Sequence, residues 1–433
     1  MSPATTKQFA RLMPRRFRRR QGVIFVTTLC VMLLLTAMVF VLVRNMRVES
    51  LASGNRASGA QAAAIEQGAE QYVLSMIDQC NGVAVTVTSA PAEAMPVGTG
   101  YFWILRPWPD TDQTWGFGIA DEASKISLNA TWLDDSNMQY LPNVTQQIAD
   151  AIIDWGPNSS KSLDGDASDI YDTLPDPYSE KQDAFETVEE LLLVQNVTKA
   201  ILFGSDLNRD GVVDAGELQS SGANSQAIGL NSGENSDTRG LFNYVTVYSN
   251  SVQTSTSRRR DSRGNRISTT STKNVAGLVN VFTASEPVLE CANMLQADAD
   301  SWVAERSSAN GDSSSWQSSG LTKKYPTSGP SAKFTTTSYQ YSADIVAVSG
   351  DGRAFKRVRI VVDDTQGTSG SGTPPHIIYR RDLTGYGWPL DPQIRQQLRA
   401  GTYQPSQVTT GVPQGVLSTD ASMTSNSSST PTP

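Results

Sequence analysis

Arg18-Arg19-Arg20-Gln21-Gly22 runs straight into VIFVTTLCVMLLLTAMVFVLV, residues 23–43. At about 1.5 Å of rise per residue, an apolar helix of this length spans a hydrocarbon core of about 30 Å. The leader before it carries Lys7, Arg11, Arg15, Arg16, Arg18, Arg19 and Arg20 and no acid. Basic charge ahead of the run, with nothing of comparable density behind it, predicts a cytoplasmic N-terminus. A secretory signal would have a shorter apolar core and small residues at a cleavage site beyond it. Here the chain continues as Arg44-Asn45-Met46-Arg47, so the helix is expected to remain in the mature protein.

Beyond the apolar run the helix is expected to continue despite Gly54, Gly59 and Gly68. Residues 44–79 lack proline and include Ala60, Ala62, Ala63, Ala64 and Ala69, which favour helix. One helix is therefore predicted from Val23 to about Cys80, where Asn81-Gly82 breaks it. The period then changes. Val83–Thr88, Tyr101–Leu105 and Trp115–Ile119 are β-branched or aromatic and separated by Gly and Pro, which predicts short strands. From Leu141 the pattern turns helical, with Val144, Ile148, Ala151, Ile152 and Trp155 on one face. Further helices are expected over Phe185–Phe203 and Ala284–Leu295, and a strand over Leu241–Tyr248. Tyr341–Val348 and Phe355–Val362 alternate about Ser349-Gly350-Asp351-Gly352, the pattern of a hairpin.

The fold class expected is α+β. A long N-terminal transmembrane and stalk helix leads to an antiparallel sheet that is interrupted by a helical insertion. The boundaries read as follows: 1–22 leader, 23–43 membrane helix, 44–80 its continuation, 81–140 first part of the sheet, 141–296 inserted domain. Residues 297–364 return to the sheet, and 365–433 form a Gly/Ser/Thr/Pro-rich tail, disordered from about 404.

Without residues 1–22 the chain has 28 basic and 43 acidic residues, a charge of −15. Such a body is unsuited to nucleic acid, whose phosphates need a surplus of Lys and Arg. The basic cluster at Arg258-Arg259-Arg260, Arg263 and Arg266 lies in a Ser/Thr-rich stretch and reads as a solvated loop. Cys30 falls inside the membrane run, which leaves Cys80 and Cys291 as a disulfide pair or as two separate core thiols. Catalysis has little to stand on. His376 is the single histidine, and no nucleophile elbow, P-loop or dinucleotide fingerprint is present. A non-enzymatic role is expected.

Asp206-Leu207-Asn208-Arg209-Asp210-Gly211-Val212-Val213-Asp214-Ala215-Gly216-Glu217 carries a second chemical signal. As a calcium loop it places oxygens from Asp206, Asn208, Asp210, the Val212 carbonyl, Asp214 and Glu217 around one point, with Gly211 at the sharp turn. The competing reading is an acidic surface turn. A paired EF-hand is not expected, because little helix can follow before Ser220-Ser221-Gly222, so the calcium would be structural. Asp164, Asp166, Asp169 and Asp172 form a vaguer cluster, either a second metal site or a solvated loop.

Several stretches together resemble the minor pseudopilin K family of bacterial type II secretion systems. They are the join Gln21-Gly22-Val23, the segment Asp121–Asn129, the helix Ile148–Trp155, the run Phe185–Val194 and the segment Gly277–Ala284. They occur in the family's order across most of residues 21–300, while 218–275 and the chain after Asp364 have no counterpart. The resemblance implies cleavage between Gly22 and Val23 by a prepilin peptidase, a methylated N-terminus and a single-pass inner-membrane protein with a periplasmic body. It implies a place at the tip of the pseudopilus with other minor pseudopilins as partners. Contact with the inner-membrane assembly platform, and with the secreted cargo or the outer-membrane channel, is implied as well.

Major pilins carry a glutamate at the fifth mature position, where this chain has Thr27. A first subunit has no subunit above it to pair with; alternatively, Thr27 is an ordinary membrane-helix threonine bonded to its own backbone. A minor pilin of a type IV pilus, and a bitopic membrane protein displaying a calcium-stabilised domain, are the alternatives.

Overall fold

The structure is a computed structural model and describes residues 21–107, 115–161, 171–204, 206–207, 209, 240–260, 266–329, 331–366 and 373–405. Helix α1 runs from Gln21 to Cys80. It ends where expected, because Asn81 (φ 47°) and Gly82 (φ 80°) both turn left-handed. At Gly82 a Cβ would also stand 3.0 Å from the Tyr339 ring. The chain divides into two compact units, before and after Ser58. In the first, the side chains of residues 23–51 that are large and apolar are exposed.

Val83–Thr88 is a correction to the expected strand: Ala84–Thr88 forms a short helix, α2. Ala84 and Val87, three residues apart, are both buried beside Ile77 and Cys80, and this packing overrides the β-branched composition. The other two expected strands form as β2 at Gly100–Pro107 and β3 at Trp115–Phe117, and two that were not expected join them, β1 at Met95–Val97 and β4 at Ala120–Asp121.

After Asp121 the chain makes a long excursion. Strand β5 (Ile126–Ser127) leads to α3 (Asp135–Met138) and α4 (Gln146–Trp155). Thr145 caps α4 by accepting from the Ile148 amide, and the predicted apolar face is buried. The single helix expected over Phe185–Phe203 is instead a 3-10 turn at Val188–Leu193 and a short helix, α5, at Lys199–Phe203. Asn196 at φ 63° separates them, and Thr198 caps the second by accepting from the Ile201 amide.

Leu241–Tyr248 is likewise mostly not strand. Leu241–Asn243 is a 3-10 turn, and only Val245–Thr246 (β6) extends, parallel to β5. Gly240 lies so close to α5 that a Cβ would meet the Leu202 carbonyl oxygen at 2.2 Å. The polar stretch around Arg258, read as a loop, is a hairpin of β7 (Asn250–Arg260) and β8 (Arg266–Ala276). Its Ser, Thr and Arg residues show no alternation of hydrophobicity, so period-2 analysis is blind to it. Strand β9 (Val279–Asn280) follows, then α6 (Glu286–Cys291), α7 (Gln296–Ala309), α8 (Ser313–Ser318) and β10 (Phe334–Thr335), which pairs with β9. Asn293 at φ 70° breaks the predicted helix Ala284–Leu295, and α7 begins anew beyond it.

The chain rejoins the sheet as β11 (Gln340–Val348) and β12 (Phe355–Asp363), the predicted hairpin. Two elements then correct the reading of 365–433 as tail: β13 (His376–Asp382) and α9 (Pro392–Ala400). Gly, Ser and Thr between the hairpin and β13 dilute the composition and hide the alternating Ile377, Tyr379 and Arg381. The expected disorder past residue 405 lies outside the described residues.

The sheet is antiparallel, in the order β1-β2-β11-β12-β13, with β3 on β2 and β4 on β11. Strands β4 and β11 are neighbours, so the excursion leaves and returns at one place. It has its own core from Ile126 to Phe334, longer than the expected 141–296, in which Trp302 and Trp316 stack edge-on at 4.7 Å. Ile65, Ala69, Val73 and Ile77 of α1 pack on one sheet face against Ile104, Ala343, Ile345 and Ile360. Helix α9 covers part of the other face through Leu398. Cys80 and Cys291 are free thiols. Cys80 lies in the core under α1 and Cys291 in the excursion core, which corrects the disulfide reading in favour of two core thiols.

Candidate functional site

Gly22 and Val23, the expected processing junction, fall in the first turn of α1; residues 1–20 lie outside the described residues. Among the described residues, α1 is the helix long and apolar enough to cross a membrane. Its outer side chains stay open, with Leu34 71% and Met38 73% exposed. The Thr27 hydroxyl donates to the Ile24 carbonyl at 2.9 Å, the backbone bond that the sequence left as one of two readings. Farther along, Arg380 of β13 clasps α1 by donating to Glu66 and to Glu70, the latter at 2.8 Å. Burial pushes the Glu66 carboxyl up, against the pull of Arg380.

The segment Asp121–Asn129 supplies the pivot from sheet to excursion. Asp121 accepts from the Ala123 amide at 2.9 Å, Thr283 at 2.5 Å, Ser338 at 2.8 Å and Asn280 at 3.3 Å. These donors come from both ends of the excursion, so one carboxylate ties exit to return. Burial pushes its pKa up to about 6. Glu122 forms a buried pair with Lys125 at 2.7 Å and also accepts from Ser342 and Thr246. Burial opposes its ionisation, but Lys125 and Arg359 outweigh that and hold it below the usual carboxylate range. The same burial depresses Lys125, opposed by Glu122.

A charged seam follows where the excursion meets the uncovered part of the sheet. Arg357 grips Asp344, with Nη2 at 2.8 Å, and donates through Nη1 to the Arg209 carbonyl at 3.0 Å. The Arg209 guanidinium bonds Glu189 at 3.1 Å and rests on the rings of Phe203 at 4.5 Å and Phe242 at 4.7 Å. Arg381 holds the same Glu189 oxygen at 2.6 Å. Burial works against ionisation of Glu189, but its own backbone amide and the two arginines keep it below its ordinary pKa.

The seam anchors the start of the predicted calcium loop. Asp206 is half-buried, and Arg209, in a non-ligand position, turns the chain at φ 62°. Asn208, Asp210, Val212, Asp214 and Glu217 lie outside the described residues. So do Asp164, Asp166 and Asp169 of the second cluster, whose fourth member Asp172 is exposed. Among the described residues, no three His, Cys, Asp or Glu side chains are grouped to hold a metal. Sequence reasoning missed Arg357, Arg359, Arg381 and Glu189. One signal was available: Arg357 and Arg359 alternate with Val358 and Ile360, marking a sheet face that meets something polar.

Residues 133–203, from before α3 to the end of α5, match the family model described as type II secretion system (T2SS), protein K. The family resembled by the sequence motifs is thus matched in the first part of the excursion. No curated protein matches. Among solved structures, a chain from the crystal structure of the GspK-GspI-GspJ complex from the enterotoxigenic Escherichia coli type 2 secretion system is similar. It is 11% identical, with a TM-score of 0.37, over 75% of this chain and 96% of that one. At that score and identity the likeness carries no functional argument.

Proposed function

We propose that this chain is a non-enzymatic minor pseudopilin that caps the tip of a type II secretion pseudopilus and starts its assembly with other minor pseudopilins. The observation that carries the reading is the matched protein K domain set between two neighbouring strands of a sheet packed on α1. The first half of that helix exposes apolar side chains from Val23 to Leu51. Such a helix suits lateral packing against like helices and lipid, the way a filament with a helical core is built. A body with an excursion running from Glu122 to Tyr339 would crowd the shaft of a thin filament, whereas at its end it meets no neighbour above.

On this reading a prepilin peptidase cuts between Gly22 and Val23, and the new N-terminus is methylated. The body is then periplasmic, anchored by one inner-membrane span and delivered to the filament by the inner-membrane assembly platform. The excursion, uppermost, faces the cargo or the outer-membrane channel. Calcium held by Asp206, Asn208, Asp210, Val212, Asp214 and Glu217 would be structural. The direct experiment is co-purification of the full chain with the small minor pseudopilins of the same organism, together with its deletion. Retention of partners and loss of export are expected. No partners with export intact would favour the bitopic displayed-domain alternative, and loss of a retractile pilus instead of export would favour a type IV minor pilin.

A further inference from the structure

Between the excursion and strands β12 and β13 the seam encloses a cavity that the assembly reading does not use. Its described lining carries four cations, Lys125, Arg209, Arg359 and Arg381, against two carboxylates, Glu122 and Glu189. Both carboxylates are already engaged. Glu122 pairs with Lys125 at 2.7 Å, and Glu189 lies between Arg209 at 3.1 Å and Arg381 at 2.6 Å. The neighbouring Arg357 is matched by Asp344, so it cancels and leaves the count unchanged. Among the described lining residues two positive charges remain in excess inside a partly dry site, where an uncompensated charge is expensive and draws a counter-charge.

Arg359 is where that excess is most available: it acts on Glu122 through its charge alone. Among the described residues its guanidinium forms no hydrogen bond; it lies over the Phe242 ring at 4.6 Å. That stacking holds the planar fork in place, so little side-chain freedom is lost when it is used. Tyr248 lines the same cavity, and its hydroxyl has no hydrogen-bond partner among the described residues. Burial drives its pKa up to about 12, so it stays a donor at neutral pH.

We propose that this cavity binds a small oxyanion, a carboxylate or a phosphate, held by the Arg359 guanidinium and the Tyr248 hydroxyl. A guanidinium presents two parallel N–H donors to either group, and a phenol supplies a third hydrogen bond without adding charge. Its position at the junction of excursion and sheet means that an occupant would neutralise the seam that joins them.

The test is calorimetric titration of the full chain in detergent at low ionic strength, with inorganic phosphate and, separately, with acetate. One anion per chain is expected. Arg359→Gln should weaken binding by about tenfold or more, the scale of a lost charge-assisted pair. Tyr248→Phe, which keeps the ring and its packing, should weaken it by a smaller factor. Phosphate binding without acetate assigns a phosphate site, and binding of acetate assigns a carboxylate one. Should Arg359→Gln melt early, Tyr248→Phe alone decides. Absence of binding by the native chain, or unchanged affinity in the natively melting variants, overturns the proposal.

Discussion

Asp121 is 2% exposed, yet it accepts four hydrogen bonds from residues spread over Ala123 to Ser338. Those donors favour the carboxylate, while loss of water opposes it and prevails, with a pKa of about 6. The folded state therefore binds this proton more tightly than the unfolded chain, whose aspartates titrate near 3.9. Its contribution is fully present below about pH 4 and is lost as pH rises through about 6. The difference corresponds to about 3 kcal/mol at most. Asp121→Asn removes the buried charge, so the variant should gain stability relative to the native chain between pH 4 and pH 7. Glu122 and Glu189, depressed and of opposite sign, are common to both proteins and cancel in the comparison. Melting curves of the two proteins across that range are the measurement; a difference that stays flat with pH would show that Asp121 titrates normally.

Helix α1 is the element whose sequence carries most of its own fate. Its apolar half follows from composition, its continuation from the absence of proline, and its end from Asn81-Gly82. The junction at its start yields a prediction of the same kind. The intact mass of the protein should correspond to residues beginning at Val23, and Gly22→Asp should leave the precursor uncut, since a side chain there crowds the peptidase. A mature N-terminus at Met1, or one beyond Val43, would remove the pseudopilin reading. Other elements were legible in proportion to their periodicity. The β11–β12 hairpin and α4 show strong alternation or a clear apolar face, and both formed as expected. Val83–Thr88, Phe185–Phe203 and Leu241–Tyr248 are short apolar runs in which local propensity is weak and packing decides. Asn196 and Asn293, left-handed in the structure, were the overlooked marks of helix breaks. The charged seam was illegible for a different reason: its members are far apart in the chain, and only the pairing of β12 with β13 and the packing of the excursion on them bring Arg209, Arg357 and Arg381 together.

Ser58 to the C-terminal part of the chain forms one compact unit, although it contains a sheet and an excursion with separate cores. Polar contacts are prominent where they join, in the Asp121 cluster at the pivot and the arginine seam on β12, beside apolar contacts such as Val85 on the excursion core and Tyr248 on Tyr379. The first residues of the acidic loop are built into that seam, since the Arg209 carbonyl takes a hydrogen bond from Arg357 and its side chain bonds Glu189. A metal ordering a loop rooted there would act on the whole unit, where one on a detached turn would act locally. Calcium binding to the native state alone should raise global stability by about 3 kcal/mol at a hundredfold excess over its dissociation constant and about 4 at a thousandfold. The full chain in detergent should therefore melt in one transition, lower in chelator than in calcium. Asp206→Ala combined with Glu217→Ala should abolish the difference while leaving the curve in chelator nearly unchanged. Superimposable curves with calcium and with chelator would assign Asp206–Glu217 to the acidic surface turn and leave the proposed secretion role standing, because that proposal rests on α1, the sheet and the matched domain.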